Sequence, residues 1–188
     1  MMNIPQTAFI DETILYSGSQ LSPHWIYKKL GIKGDAAVAF IGPCKVALEY
    51  MVDLEDKCQN RRIEADKMLH FICEHFGVTL NEISILQRLL VLLTVEGLLS
   101  RGVKDFSRDG DDVFIRDGKL SISVATVSPV SGLIHLGLNI TNEGTPVKTA
   151  SLSDAGIEPK EFALELLERY RKECASILDS SVRVVPKI

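Results

Sequence analysis

The sequence lacks an excess of positive charge. Lysine and arginine total 21 against 25 aspartate and glutamate residues, which gives a formal net charge of −4 and a pI near 5.6. A protein that binds nucleic acid mainly through the phosphates needs a basic surface. We therefore do not expect a nucleic acid to be the partner of this chain.

Cysteines are few, and they do not form the pairs that bind zinc. The four cysteines are widely spaced, with no C-x-x-C pair, so no zinc site is expected. The first residues, Met1 to Ala8, carry neither the basic segment nor the apolar segment of a secretory signal. We therefore predict reduced thiols and a cytoplasmic location.

A long uninterrupted apolar run is also missing. The most apolar stretch, Leu89 to Leu99, is interrupted by Thr94, Glu96 and Gly97, and it falls short of the ~20 residues that span a membrane. We interpret it as part of a buried helix and expect no membrane partner. The 188 residues contain no repeat, low-complexity tract or flexible linker, so we predict a single domain over 1–188.

Turn and capping residues divide the chain into strands and helices. Ser22-Pro23 predicts a helix start, and Thr79 to Glu82 has the form of a capping box. Gly42-Pro43-Cys44, between two β-rich runs, suggests a hairpin, and Asp117-Gly118 favours a tight hairpin turn. The predicted strands lie at 8–11 (an extension to 16 stays open), 36–41, 45–53, 113–115, 119–127, 132–141 and 182–185, and the predicted helices at 23–30, 63–76, 80–101 and 160–180. This order predicts an α+β fold, a mostly antiparallel central sheet covered by helices on one side.

Two consecutive predicted strands each have one face of small or polar side chains. Those faces carry Lys119, Ser121, Ser123 and Ala125 on the first strand, and His135, Gly137, Asn139 and Thr141 on the second. If the strands pair, we expect these faces to align while the aliphatic faces pack against helices. The aligned face is then either a ligand-binding floor with little side-chain bulk or an ordinary solvated sheet face.

The same region resembles a known enzyme family. The segment Asp111 to Ser123 is similar to the signature of biotin/lipoate protein ligases, which has an acid or amide pair, an apolar strand, a tight turn and a lysine followed by small residues. Gly132 to Ile140 is similar to the next strand of those ligases. The whole chain also resembles an archaeal and bacterial family known as domain of unknown function 366, through Met51 to Asp56, Met68 to Ile72 and Ser128 to Ser131.

The resemblance implies a biotin/lipoate protein ligase-like fold and a site for a small carboxylic acid or acyl donor. In the ligases the matching strand lysine contacts the substrate carboxylate and the phosphate of the acyl-adenylate, so the resemblance assigns catalysis to Lys119, with ATP and Mg²⁺ as cofactors. A compact cation suits that reaction, because it neutralises two anions that approach each other. His135 becomes a ligand contact or a general base. The substrate-binding candidates are Ser121, Ser123, Gly137 and Asn139.

The chain departs from the ligase pattern in two places. Ile122 stands where the ligases have a glycine, and no Gly/Arg-rich loop for the adenylate is present. The nearest equivalent, Gly42 to Lys45, has one glycine, which offers few approachable backbone amides to a phosphate. A non-catalytic protein that binds a small ligand on the same fold is therefore an alternative, and whether the chain is an enzyme stays open.

Three further substrate-binding candidates are Gly42, Cys44 and Asp53. Cys44 at the expected turn, next to Lys45, suggests a cysteine-dependent acyltransferase, if its thiol has a lowered pKa. Asp53 lies on the face of the following predicted strand that can reach the same cavity, and with its acidic neighbours it is either a Mg²⁺ ligand or a solvated strand end. The apolar helix at 80–101 suggests a homodimer, although burial within one chain explains it equally well.

Overall fold

A computed structural model describes residues 3–59, 61, 63–185 and 187 of the chain. In these residues it has eight strands, four α-helices and one short 3-10 helix. In chain order they are β1 (Gln6–Ile10), α1 (Trp25–Leu30), β2 (Ala36–Val46), the 3-10 helix (Leu48–Tyr50), α2 (Leu54–Cys58), β3 (Ile63–Phe76), α3 (Leu80–Ser100), β4 (Phe106–Asp109), β5 (Asp112–Ile115), β6 (Gly118–Lys119), β7 (Ser121–Val127), β8 (Ser131–Asn139) and α4 (Pro159–Val182).

A five-stranded sheet forms the centre of the fold, in the order β1-β2-β3-β8-β7. β1 is parallel to β2, and every other pair in this sheet is antiparallel. A smaller antiparallel sheet consists of β4, β5 and β6. The predicted α+β class with a mostly antiparallel central sheet is confirmed.

Apolar side chains cover both faces of the central sheet. Helices α3 and α4 pack on one face, where Phe71 and Leu136 share a core with Phe162. On the other face, Ile26 of α1 shares a second core with Phe40. The prediction of helices on one side of the sheet is therefore incomplete. Helix α1 packs its apolar side against the other face.

The segment 63–76, predicted as a helix, is instead the longest strand, β3. Every residue from Met68 to His75 is buried, because β3 pairs with β2 on one side and with β8 on the other. It also has an apolar core on each face. A strand buried in this way does not alternate between polar and apolar residues, so its pattern is ambiguous and its apolar positions also fitted a helical spacing.

The predicted hairpin around Gly42-Pro43-Cys44 is also wrong. β2 continues through these residues to Val46, with an irregular register against β3 between Gly42 and Cys44. The next residues form the 3-10 helix and α2 in place of the predicted strand. Asp53 is the N-cap of α2, and its carboxylate accepts hydrogen bonds from the amides of Glu55 and Asp56.

The two long helices begin where their caps predict. Thr79 and Glu82 form the capping box of α3, and Pro159 begins α4, which continues to Val182 so that no strand forms at 182–185. By length and composition, the 21 residues of α3 could cross a membrane. The shorter run Leu89 to Leu99, taken alone, predicts no membrane-spanning segment. The most apolar window of α3 is 56% buried inside the structure, and core helices of soluble proteins pass the same test.

One face of α3 is apolar and exposed. Ile85, Leu92 and Leu99 follow each other at intervals of seven residues and are 62%, 44% and 48% exposed. This spacing places them on one side of the helix, as in helices that pack against a partner helix. The homodimer stays a prediction.

The segment from Ile14 to Tyr16 runs parallel to β2 beside Gly42, and Tyr16 forms a parallel bridge with Cys44. The Tyr16 amide donates to the Pro43 carbonyl at 2.9 Å, and a Cβ at Gly42 would lie 1.9 Å from the carbonyl oxygen of Ile14. Only glycine permits this close approach of two backbones. Gly42 therefore determines where this parallel segment places Tyr16.

Gly42→Ala should lower the free energy of unfolding by more than about 2 kcal/mol, because a clash with backbone is not relieved by a side-chain rotamer change. Gly31→Ala is the control: nothing lies within 4 Å of its Cβ position and its φ is 72°, so its cost is limited to a left-handed backbone, about 1 kcal/mol. Urea denaturation measures both losses. Equal losses would contradict the role assigned to Gly42.

Candidate active site

The pairing of β7 with β8 decides which side chains face the site. Ser121 lies opposite Leu138, and Ser123 lies opposite Leu136. Directly paired residues share a face of the sheet, so the serines share the helix side with the leucines. The predicted alignment of the two small-residue faces is therefore wrong. The hairpin at 128–131 sets this register, and a shift of one residue would invert every face.

The hydroxyls of both serines are occupied by protein groups. Ser121 Oγ accepts a hydrogen bond from the Val113 amide at 2.8 Å. Ser123 Oγ accepts from Gln87 Nε2 at 2.9 Å and donates to the His135 carbonyl at 3.1 Å. Both serines border the cavity at the edge of the sheet, but they anchor β7 to β5 and α3. Their contact with a substrate stays a prediction.

The opposite face of the sheet borders a cavity of about 520 Å³. Strands β2, β3, β7 and β8, α2, and the segment 145–149 surround it. Ile122 and Met68 occupy the part of its floor next to Gly137, where a Cβ would lie 2.9 Å from Met68 Cε. Gly137 thus makes room for these two side chains and is not itself among the lining residues. The sequence predicts a floor with little side-chain bulk. In this part of the cavity, the apolar side chains of Ile122 and Met68 form the floor instead.

Lys119 lies at the wall of this cavity, as predicted. Its Nζ is 2.7 Å from Asp112 Oδ2, and the two side chains are 32% and 34% exposed. The backbone of Lys119 is fixed by hydrogen bonds with Lys148 and Ala150. Asn139, a buried predicted substrate contact that also borders the cavity, donates its Nδ2 to the Lys119 carbonyl at 3.1 Å. The ammonium therefore has one carboxylate partner and an open side.

His135 lies in a buried stack with Tyr16 and His70. The rings of Tyr16 and His135 are 3.7 Å apart with planes 12° from parallel, and His70 Nδ1 is 3.1 Å from His135 Nε2. Burial lowers the pKa of His70 to about 3 and holds the pKa of His135 well below its ordinary value. Both imidazoles are neutral, and the lowered pKa makes His135 a weak base, which disfavours general-base catalysis by it. A ligand contact remains compatible with its place at the cavity.

The candidates near Gly42 have separate environments. Gly42 is packed against Ile14 and does not border the cavity. Cys44 borders it, but burial raises the pKa of its thiol to about 12, opposite to the lowered pKa that a nucleophile requires. Asp53 borders the cavity as the exposed N-cap of α2. The structure therefore brings Cys44 and Asp53 to the site and leaves Gly42 outside it.

The cavity wall is acidic. Its described lining residues include two cations, Arg61 and Lys119, both of which are ion-paired. They also include six carboxylates, Asp53, Glu55, Asp56, Glu64, Asp111 and Asp112. Within the described part of the chain, no group of three or more His, Cys, Asp or Glu side chains is arranged to hold a metal ion. Among the described residues, a bound anion can therefore pair with Lys119 or Arg61, or with a cation that enters with it.

Sequence reasoning missed several residues of the site. Tyr16 carries no local signal, because it lies beyond the end of β1 and reaches the site through a parallel bridge with Cys44 of β2. His70 lies in the segment predicted as a helix, and its contact with His135 follows from the pairing of β3 with β8. Asp112 belongs to the acid pair Asp111-Asp112 of the ligase-like segment. That pair is the sequence signal by which the partner of Lys119 could have been found.

Comparison with known proteins assigns the chain to a family. The model of a family described as a domain of unknown function (DUF366) matches residues 5–184. The chain belongs to this family. An uncharacterised protein of Methanocaldococcus jannaschii is 35% identical over 187 residues, which cover 96% of this chain and 84% of that protein. The solved structure of a protein of unknown function from Pyrococcus horikoshi is 39% identical, with a TM-score of 0.93 over 97% of this chain and 99% of that one.

Solved ligases share the fold at low sequence identity. Biotin protein ligase from Aquifex aeolicus, in complex with biotin and ATP, is 17% identical, with a TM-score of 0.59 over 90% of this chain and 70% of that one. Lipoate-protein ligase A bound with ATP is 14% identical, with a TM-score of 0.55 over 88% of this chain and 86% of that one. Identities this low show the fold alone, and they confirm the resemblance to the biotin and lipoate ligases at that level.

Differences in burial among the cysteines predict their reactivity. All four are free; Cys58 is exposed, and Cys44, Cys73 and Cys174 are buried. Burial raises the pKa values of the three buried thiols, so iodoacetamide at pH 8 should modify Cys58 alone in the native protein and all four in urea. Peptide mass spectrometry checks both states. Native modification of Cys44 as fast as that of Cys58 would restore it as a candidate nucleophile.

Proposed function

We propose that this protein binds a small carboxylic acid in the 520 Å³ cavity, with the carboxylate at Lys119, and activates it as an acyl-adenylate. One observation supports the binding step above the others. The Lys119 ammonium lies at the cavity wall, held 2.7 Å from Asp112 and one-third exposed. A lysine has three N–H donors, so it can bind a ligand carboxylate without releasing Asp112.

The chemistry of adenylate formation suits this lysine. A carboxylate oxygen attacks the α-phosphorus of ATP, and pyrophosphate leaves, so negative charge accumulates between two anions. Lys119 can donate to both, and the fixed position of its backbone means that little reorganisation is needed. The ligases that share the fold were solved with biotin and ATP or with ATP, which supports the acid and the nucleotide as the two substrates.

ATP would enter this cavity as its Mg²⁺ complex. The acidic wall repels a free triphosphate, whereas carboxylates such as Asp112 and Asp53 are ligands of the kind that Mg²⁺ binds. The magnesium ion would supply positive charge to the phosphates. Lys119 would orient the acid, and the apolar floor of Ile122 and Met68 would hold its hydrocarbon part.

A specific observation favours a second candidate, a non-catalytic protein that binds a small carboxylic acid. The chain has no Gly/Arg-rich loop for the adenylate, and six carboxylates against two cations line the described cavity wall. A cysteine-dependent acyltransferase is not favoured, because burial raises the pKa of the Cys44 thiol and keeps it protonated. The four free cysteines support our further proposal of a reducing, cytoplasmic location.

Exchange of pyrophosphate into ATP tests the adenylation step. With Mg²⁺ and a panel that includes biotin, lipoate and octanoate, at least one acid should support exchange, and Lys119→Ala should lower the rate by about 100-fold or more, as for the loss of a charge-stabilising donor. Lys148→Ala is the matched control, since Lys148 is also paired with an aspartate, Asp117, but lies outside the cavity. We expect it to retain the wild-type rate.

The outcomes separate the two candidates. Exchange that survives in Lys119→Ala would remove this lysine from the mechanism. Thermal stabilisation of the wild type by an acid, lost in Lys119→Ala and without exchange under any condition, would favour the binding protein. An absence of both stabilisation and exchange would contradict the proposed function.

A further inference from the structure

The stripe formed by Ile85, Leu92 and Leu99 is the apolar part of α3 that the core of one chain does not use. These three side chains are exposed, whereas Ile83 and Leu90, on the opposite side of the helix, are fully buried in the core. A row of apolar residues at intervals of seven lets one helix pack along another over several turns. The stripe extends for about 21 Å along the helix. It therefore has the form of a surface for a second helix.

Charged residues accompany the stripe on both sides of Leu92. Arg88 lies four residues before it and Glu96 lies four residues after it, and both are exposed. Residues four apart on a helix lie on nearly the same side, so the stripe has a cation toward one end and an anion toward the other. Among the described residues, Glu96 takes part in no ion pair. A bilayer is a poor partner for this surface, because charged groups are costly in hydrocarbon.

The pattern is symmetric about Leu92. Ile85 and Leu99 lie seven residues to either side of it, and Arg88 and Glu96 lie four residues to either side. When a second copy of α3 lies antiparallel with the twofold axis beside Leu92, Ile85 meets Leu99 of the partner subunit, and Arg88 meets Glu96 of the partner subunit. A parallel arrangement brings arginine beside arginine and glutamate beside glutamate, and such like-charge contacts are unfavourable. The charges therefore select the antiparallel arrangement.

We propose that two copies of the protein form a symmetric dimer through antiparallel α3 helices, centred on Leu92. In such an interface the same surface is used by both subunits, so each contact occurs twice. Arg88 Nη1 is 2.9 Å from Asp111 Oδ1 within the same chain. Because a guanidinium has five N–H donors, Arg88 can keep this contact and also bind Glu96 of the partner subunit. The dimer requires no ligand, so it is independent of the proposed function.

Sedimentation equilibrium of the full chain tests the interface. We expect the wild type to be a dimer at micromolar concentration. Leu92→Glu should raise the dissociation constant by about 100-fold or more, because it places two carboxylates at the centre of the interface. Leu164→Glu is the matched control, since Leu164 on α4 is as exposed as Leu92 but lies outside the stripe. It should keep the wild-type dissociation constant, and circular dichroism should show that both variants fold.

Reversal of one charge tests the ionic contacts with little risk to folding. Glu96→Lys should raise the dissociation constant by about tenfold, because Arg88 then meets a lysine at both symmetric positions. Glu173→Lys makes the same change of charge at an exposed position on α4. It controls for the altered net charge and should leave the dissociation constant unchanged.

Disulfide cross-linking determines the direction of the helices. In a Cys58→Ser background, which removes the exposed native thiol, oxidised Leu92→Cys should form a covalent dimer at the twofold axis. Ile85→Cys alone should not, since antiparallel packing separates its two copies by about 21 Å, beyond the reach of a disulfide. An equal mixture of Ile85→Cys and Leu99→Cys should cross-link.

Three results would overturn the proposal. One is a monomer at about 100 μM, a concentration that would reveal even a weak dimer. The second is a dimer that Leu92→Glu does not weaken, and the third is a covalent dimer of Ile85→Cys alone, which requires parallel helices. Flotation with vesicles of phosphatidylcholine and phosphatidylglycerol identifies the other occupant. A monomeric wild type that floats, with Leu92→Glu left behind, would assign the stripe to a membrane.

Discussion

From Met68 to Glu74, strand β3 is buried on both faces and paired on both edges, and the rest of the structure depends on its pairing. On one edge it aligns β2, and on the other it aligns β8. This double pairing places His70 between Phe40 and Gly137 in the register of the sheet, and it brings the imidazole of His70 against that of His135. Because hydrogen bonds in a sheet fix the pleat, one register determines which side chains face the helices and which face the cavity.

Burial gives the two halves of the site different chemistry. At the wall, Lys119 and Asp112 are partly solvated, so the ammonium keeps its charge and can exchange water for an anion. In the floor, burial makes the charged forms of His70 and His135 unfavourable, and the same effect keeps the Tyr16 hydroxyl protonated, since its pKa is raised. A ligand with an anionic end and an apolar part would match the charged wall and the apolar floor.

The parts of the fold that are coded locally could be predicted from the sequence. The capping box at Thr79 and the proline at 159 define the starts of α3 and α4. The tight turn predicted at Asp117-Gly118 forms one residue earlier, at Arg116-Asp117, and Gly118 already belongs to β6. The helix predicted at 63–76 failed for a physical reason: a strand covered on all sides has no polar face to reveal its period. The hairpin predicted at Gly42 failed because that glycine makes room for the backbone of Ile14, a residue distant in the chain.

The site shows the same division. Lys119 and His135 both border the cavity, and each lies in a segment that resembles the ligases. Ser121 and Ser123 face the helix side, because alternation along one strand does not specify its register with the next. Tyr16 comes from a segment more than a hundred residues away from His135, and no local pattern marks it. Local sequence thus locates the charged end of the site, and long-range pairing builds its deep end.

A crystal structure with a bound small carboxylic acid tests the central claim most directly. The account predicts a carboxylate oxygen within about 3 Å of Lys119 Nζ, as in a charge-assisted hydrogen bond, with the remainder of the acid lying along β8 toward His135. An acid bound on the helix side of the sheet, or one that enters this cavity without contacting Lys119, would contradict it.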